Sequence, residues 1–438
     1  MSNIGKKLVA MGTAAALTVG GMVSAHVQNA APAHAAPLYN ADGTLSNKNL
    51  PIWDTTPLPY FYKLSKKQQA TPHGTLIRWD KQWSPYNSRA VHRLVFSSRD
   101  TFNRPITGSA ALILPQQPTK VKGYAKTGAY TPLVVVNDMI NSLGTACQPS
   151  FVLTSNKPEQ LSHNKRVYQE AEDYLVRGWA VLIPDFLGMF GEYGANIMSG
   201  RIVLDAIAAS TTTNTFGLHN SRAIVTGYSG GGMASMYAAA QQPSYAPHSN
   251  LLAVAAGGTP VDLPWMVSFF SKLGPIPNPV FGYGTGVLMG LQREYGERVR
   301  IYDRLTENGK KVFRASRSLC HDEMLAASSG ESFLSMFKDT DVTNKPDILE
   351  AGKANSLAYF APIPQVPLYI YGAYTDIAVP LSLMEKVVNR YRSKSPSLPI
   401  WFRPQVGPNH MDAFNQAQPE VQRWMKSLFA GHKAPSNP

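Results

Sequence analysis

Cysteine is almost absent from this chain of 438 residues, which has only Cys147 and Cys320. In an exported protein two such thiols most simply pair as one disulfide. Acidic residues are also few, 28 against 41 basic ones, leaving a formal net charge of +13. The Lys and Arg are scattered, and no basic run or nucleic-acid motif accompanies them, which argues against a nucleic-acid partner. The charge suits a solvated surface with peripheral attraction to anionic envelopes or lipid surfaces. Internal repeats and low-complexity tracts are missing. Beyond the N-terminal segment no run of about 18 apolar residues occurs, so no transmembrane helix is expected in the mature chain.

What is present begins with a targeting pattern. Lys6 and Lys7 precede an apolar stretch from Leu8 to Val23, and Ala33-His34-Ala35 supplies a small-x-small cleavage site. A signal peptide over 1–35, cleaved near Ala35–Ala36, and a secreted, extracellular product are the expectation. With 44% hydrophobic residues over its full length, the chain can bury a core large enough for one big domain with insertions or for two smaller ones.

The sharpest motif is Gly227-Tyr228-Ser229-Gly230-Gly231, a G-x-S-x-G pentapeptide. Arg222 to Thr226 before it reads as a short buried strand. Met233 to Ala240 after it is built from helix formers and is expected to stop at Pro243. A strand turning sharply into a helix strains its corner residue and needs small neighbours, so this order describes the nucleophile elbow of an α/β-hydrolase, with Ser229 at the corner. A P-loop is excluded because no Lys follows the last glycine.

Short apolar runs at 133–136, 180–183, 223–225, 251–256, 366–371 and 398–402, mostly separated by helical stretches, predict a parallel, doubly wound sheet. Strands 91–97 and 107–114 form an antiparallel opening pair, and 36–90 reads as an extended N-terminal arm. Between 261 and 360 some hundred residues intervene where one crossover helix would suffice. This apolar, aromatic insertion predicts a helical cap or lid dividing the core into 91–260 and 361–438.

A serine nucleophile needs a base, and the base needs an acid that fixes its tautomer, in the chain order serine, acid, histidine. His410 follows the last predicted strand and is the expected base, with His321 as the alternative. Asp376 is the first carboxylate after the 366–371 strand, at the end that faces the site. The Gly230 N–H is one oxyanion donor, and Asn137, Asp138 and Met139 are candidates for a second. No cofactor or metal is implied.

Gly227-Tyr-Ser-Gly-Gly-Gly232, Pro184-Asp-Phe-Leu-Gly188, Leu204-Asp-Ala-Ile207, Cys147-Gln-Pro-Ser150, Thr375-Asp-Ile-Ala-Val-Pro380 and His410-Met-Asp412 together resemble the secretory lipase family of α/β-hydrolases. The resemblance implies Ser229, Asp376 and His410 as the triad and a cap over an acyl-chain pocket. It further implies an aspartate side chain at the oxyanion, which falls on Asp138. In that family the aspartate is followed by serine, whereas Met139 follows Asp138, and the spacing to Cys147 is long. The expected activity is hydrolysis of acylglycerol-type esters through an acyl-enzyme. A secreted acyltransferase or serine peptidase would use the same triad, and a non-enzymatic envelope-binding protein would not need it.

Overall fold

Nine strands form one sheet: β1 Leu76–Trp83, β2 Ala90–Arg99, β3 Pro105–Ile113, β4 Leu133–Asn137, β5 Ala180–Pro184, β6 Ala223–Tyr228, β7 Leu251–Gly257, β8 Leu368–Ala373 and β9 Ile400–Gln405. Their spatial order is β1-β2-β3-β5-β4-β6-β7-β8-β9. The first three run antiparallel, as does β3 against β5, and the other pairings are parallel. The computed structural model describes residues 51–437 apart from 56–57, 125–127, 272–280, 340 and 407–408. The signal segment expected at 1–35 and the start of the arm lie outside these residues.

Strands β4 to β8 are buried throughout, which is why they read as unbroken apolar runs rather than alternating ones. Their two-residue period still sorts side chains between two cores. Leu133, Val135, Leu182, Val225 and Val254 face one; Val134, Val136, Val181, Ile183 and Ile224 face the other.

The helices follow in chain order as α1 Pro158–Leu175, α2 Asn196–Thr211 and α3 Gly230–Tyr245. The insertion then contributes α4 Leu263–Ser271, α5 Phe281–Tyr295, α6 Glu307–Ser316, α7 His321–Ser328 and α8 Pro346–Ala354. After β8 come α9 Leu381–Lys394 and α10 His410–Phe429. α2, α3 and α9 pack on the first core; α1 and α10 pack on the second, where Trp424, Leu428 and Phe429 are buried. Each of those side chains contributes about 1.5–3 kcal/mol. The result is the α/β-hydrolase architecture, a mostly parallel, doubly wound sheet with a helical insertion between β7 and β8.

Three expectations need correction. The arm is not extended up to residue 90: Leu76–Trp83 adds an antiparallel edge strand, whose half-buried alternation leaves no apolar run to announce it. α3 continues past Pro243 to Tyr245. Residues 410–429, left unassigned by the sequence, form a twenty-residue amphipathic helix that tolerates Pro419.

The single disulfide joins Cys147 to Cys320, 173 residues apart in sequence, and fastens the loop after β4 to the N-terminus of α7. Thr145 of the same loop donates from its N–H and hydroxyl to Asp54 of the arm, at 2.7 and 2.8 Å. Beside it lies the fully buried Arg293. Its guanidinium donates to the carbonyls of Ile52, Leu143, Phe190, Gly191 and Arg317, at 2.6–3.0 Å. Burial lowers its pKa to about 10, against the opposing pull of Glu192 and Asp54.

Candidate active site

Ser229 sits between β6 and α3 with φ 53° and ψ −118°. A non-glycine residue there is strained by about 1–3 kcal/mol. The conformation is held because the Ser229 N–H donates to the Gly257 carbonyl of the neighbouring strand at 2.9 Å and the α3 ladder starts at once. The flanking glycines are required by close approach. A Cβ on Gly231 would stand 1.8 Å from the Asn137 carbonyl oxygen, and one on Gly230 would stand 2.0 Å from Asn141 Oδ1.

His410 is the first residue of α10, where Asn409 caps the helix by accepting from the N–H groups of Met411 and Asp412 at 3.0 Å. The turn-rich loop expected around it is therefore a helix start, and Gly407 and Pro408 lie outside the described residues. Its Nδ1 hydrogen-bonds Asp376 Oδ2. Asp376 is buried just beyond β8, and its other oxygen accepts from the N–H groups of Ala378 and Val379 at 3.0 and 2.9 Å. Tyr228, the residue before the elbow serine, donates its hydroxyl to the His410 carbonyl, with the two rings 4.8 Å apart. Burial, then the charge of Asp376, pushes the Tyr228 phenol pKa well up, so it stays protonated as a donor. Gly258, at φ 50°, leaves room for the His410 ring. The structure thus brings Ser229, His410 and Asp376 to one end of the parallel strands. It leaves His321 in the insertion, between Tyr283 and Asp322 at 2.8 and 2.6 Å.

Asp138 is buried after β4, but its carboxylate is ion-paired with Arg166 of α1 at 2.6 Å. Burial opposes the Arg166 charge, and Asp138 with its acidic neighbours more than offsets this, so the guanidinium pKa is raised. Burial also pushes the nearby Glu170 carboxyl up to about 7, with Asp138 adding to the shift.

The side chain that lies against Gly230 belongs instead to Asn141. It is buried, has φ 40°, and its Oδ1 has no hydrogen-bond partner among the described residues. Oxygen and nitrogen of an amide differ only by assignment, so this group can present its NH₂ to the same space. The sequence carried a signal for it: Asn141-Ser142 has the serine that Asp138 lacks and stands nearer to Cys147.

A cleft of about 600 Å³ between the β1–β2 turn and α1, lined by Trp83, Tyr86, Arg89 and Glu172, opens at the opposite end of the sheet and contains none of these residues. Among the described residues no three His, Cys, Asp or Glu are grouped to hold a metal ion. No described helix is long and apolar enough to cross a membrane.

The secretory lipase family profile matches residues 170–437. The chain belongs to the secretory lipase family. This family member is a carboxylic ester hydrolase. It is 25% identical over 352 residues to a secreted triacylglycerol lipase of Malassezia restricta, covering 76% of this chain and 70% of the relative. It is likewise 25% identical over 356 residues to a trichothecene C-3 esterase of Fusarium sporotrichioides, covering 78% and 76%. In fold it resembles Candida antarctica lipase A in its closed state, with a TM-score of 0.76 at 20% identity over 87% of this chain and 91% of that one.

Proposed function

We propose that this family member is a secreted lipase that cleaves acylglycerol-type esters through an acyl-enzyme on Ser229. Asp376 holds His410 Nδ1, which leaves Nε2 to take the Ser229 proton as the hydroxyl attacks the ester carbonyl. The oxyanion forms at the positive end of α3, where the Gly230 N–H donates to it. The second donor in this reading is the Asn141 amide rather than Asp138, whose carboxylate is engaged by Arg166. Collapse of the tetrahedral species expels the alcohol with the proton from His410, and water then releases the fatty acid by the reverse sequence. The cap contributes an apolar cluster that includes Val267, Phe281, Leu288, Phe333 and Phe337, carbon surface of the kind on which an acyl chain packs. Export through the 1–35 segment completes the proposal.

The observation that carries this reading is a strained Ser229 at the same end of the parallel strands as a hydrogen-bonded Asp376–His410 pair. Ser229→Ala should lower hydrolysis of p-nitrophenyl butyrate and of emulsified tributyrin by roughly 10⁴–10⁶-fold with an unchanged melting profile. A fluorophosphonate probe should label the wild type and not the variant. Turnover retained by the variant overturns the proposal.

A further inference from the structure

Four large apolar side chains stand in solvent around the Asp376–His410 pair. Relative exposure is 66% for Tyr374, 79% for Ile377, 86% for Val406 and 40% for Met411. Tyr374, Ile377 and Val406 come from the loops that leave the carboxyl ends of β8 and β9, and Met411 from the first turn of α10, at the end of the sheet where Ser229 follows β6. Ala373 and Gln405 are register partners, and the Tyr374 N–H donates to the Gln405 carbonyl at 3.3 Å. Tyr374 and Val406 therefore emerge side by side. Ile377 directly follows Asp376 and Met411 directly follows His410. Hydrogen bonds from Ala378 and Val379 to Asp376, and from Met411 and Asp412 to Asn409, fix both turns. The backbone under Ile377 and Met411 is thereby fixed.

Single exposed apolar residues are ordinary on a protein surface, but a group of them gathered at one mouth marks an interaction site. Its position beside the reacting centre and the chain's net charge of +13 name the occupant. A lipid aggregate presents the ester, offers hydrocarbon to Ile377 and Val406, takes the amphipathic ring of Tyr374 at its interface, and attracts a basic protein when it carries anionic headgroups. We infer that Tyr374, Ile377, Val406 and Met411 form a rim by which the enzyme rests on the lipid–water interface with Ser229 facing it. The inference rests on the ester hydrolase reading of Ser229 and adds where the substrate phase docks.

The test is the double variant Ile377→Ser/Val406→Ser, assayed with p-nitrophenyl acetate in solution, with an emulsion of triolein, and for sedimentation with vesicles of phosphatidylcholine and phosphatidylglycerol. The expected result is unchanged kcat/KM on the soluble ester, with a loss of about tenfold or more in emulsion rate and in vesicle binding. Unchanged emulsion rate and vesicle binding overturn the inference. A parallel fall on the soluble ester also overturns it, because the residues would then act on the catalytic geometry. Ser229→Ala separates the two readings: it should abolish both hydrolyses and leave vesicle binding intact. Retained hydrolysis in that variant refutes the nucleophile without touching the rim.

Discussion

Replacing Asn141 tests the oxyanion assignment most directly. The side chain is buried against the Gly230 Cα, where water cannot readily substitute for a lost donor. A hydrogen bond to a charged acceptor contributes about 1.5–3 kcal/mol, and removal of one oxyanion donor elsewhere has cost about 2.7–4 kcal/mol. At about 1.4 kcal/mol per tenfold, Asn141→Ala should therefore lower kcat by roughly 10–10³-fold with little change in KM. Alanine is also strained at φ 40°, by about 1–2 kcal/mol, so melting is recorded alongside to separate a loosened fold from a lost donor. Asn141→Asp keeps the shape and tolerates the backbone, yet an ionised carboxylate repels the oxyanion. Its kcat, measured with p-nitrophenyl butyrate, should fall more steeply with rising pH than that of the wild type. If both variants stay within about threefold of wild type at every pH, Asn141 is not a donor.

Other outcomes follow from the same contacts. Cys147→Ser should destabilise the protein by about 2–5 kcal/mol, and dithiothreitol should lower the wild-type melting temperature but not that of the variant. Because the bridged loop carries Asn141, kcat should fall as well. Burial raises the Glu192 carboxyl from 4.5 to about 7 despite Arg293, so the folded protein takes up a proton that the unfolded chain does not hold. The associated stability is complete below about pH 4.5 and lost as pH rises through 7. Glu192→Gln should therefore flatten the melting-temperature profile between pH 5 and 8, by an amount worth roughly 3 kcal/mol at most; parallel profiles would refute it.

Much of the sheet was legible because β4 to β8 are covered on both faces, which forces apolar residues at consecutive positions. Ser229, Asp376 and His410 could be singled out because chain order ties them to the ends of β6, β8 and β9. The edge strand β1 escaped notice for the opposite reason: Arg78, Asp80, Lys81 and Gln82 face solvent or partly buried partners, and a two-stranded edge needs no apolar run. α10 was hidden by Pro419 and by the polar residues of its outer face. Asn141 was overlooked because its place against Gly230 depends on a left-handed backbone and on the approach of α3, neither of which residue type encodes. Asp138 attracted attention as a carboxylate in the expected loop, and its pairing with Arg166 is a contact between distant segments that no spacing reveals.

Arg293 grips the arm, the loop after β4, the 190–191 turn and the insertion at Arg317 with one planar group. All its acceptors are backbone carbonyls, which every amino acid supplies. Divergence can therefore rewrite the side chains at 52, 143, 190 and 317 without loosening the joint, while position 293 admits no substitute that keeps the fork and Gly191, at φ 66° with a Cβ there falling 2.2 Å from the Leu143 carbonyl oxygen, admits no side chain. In recombining this chain with relatives about a quarter identical to it, what has to be conserved there is the path of the main chain, one arginine and one glycine, so crossover points can be chosen by geometry rather than by sequence match.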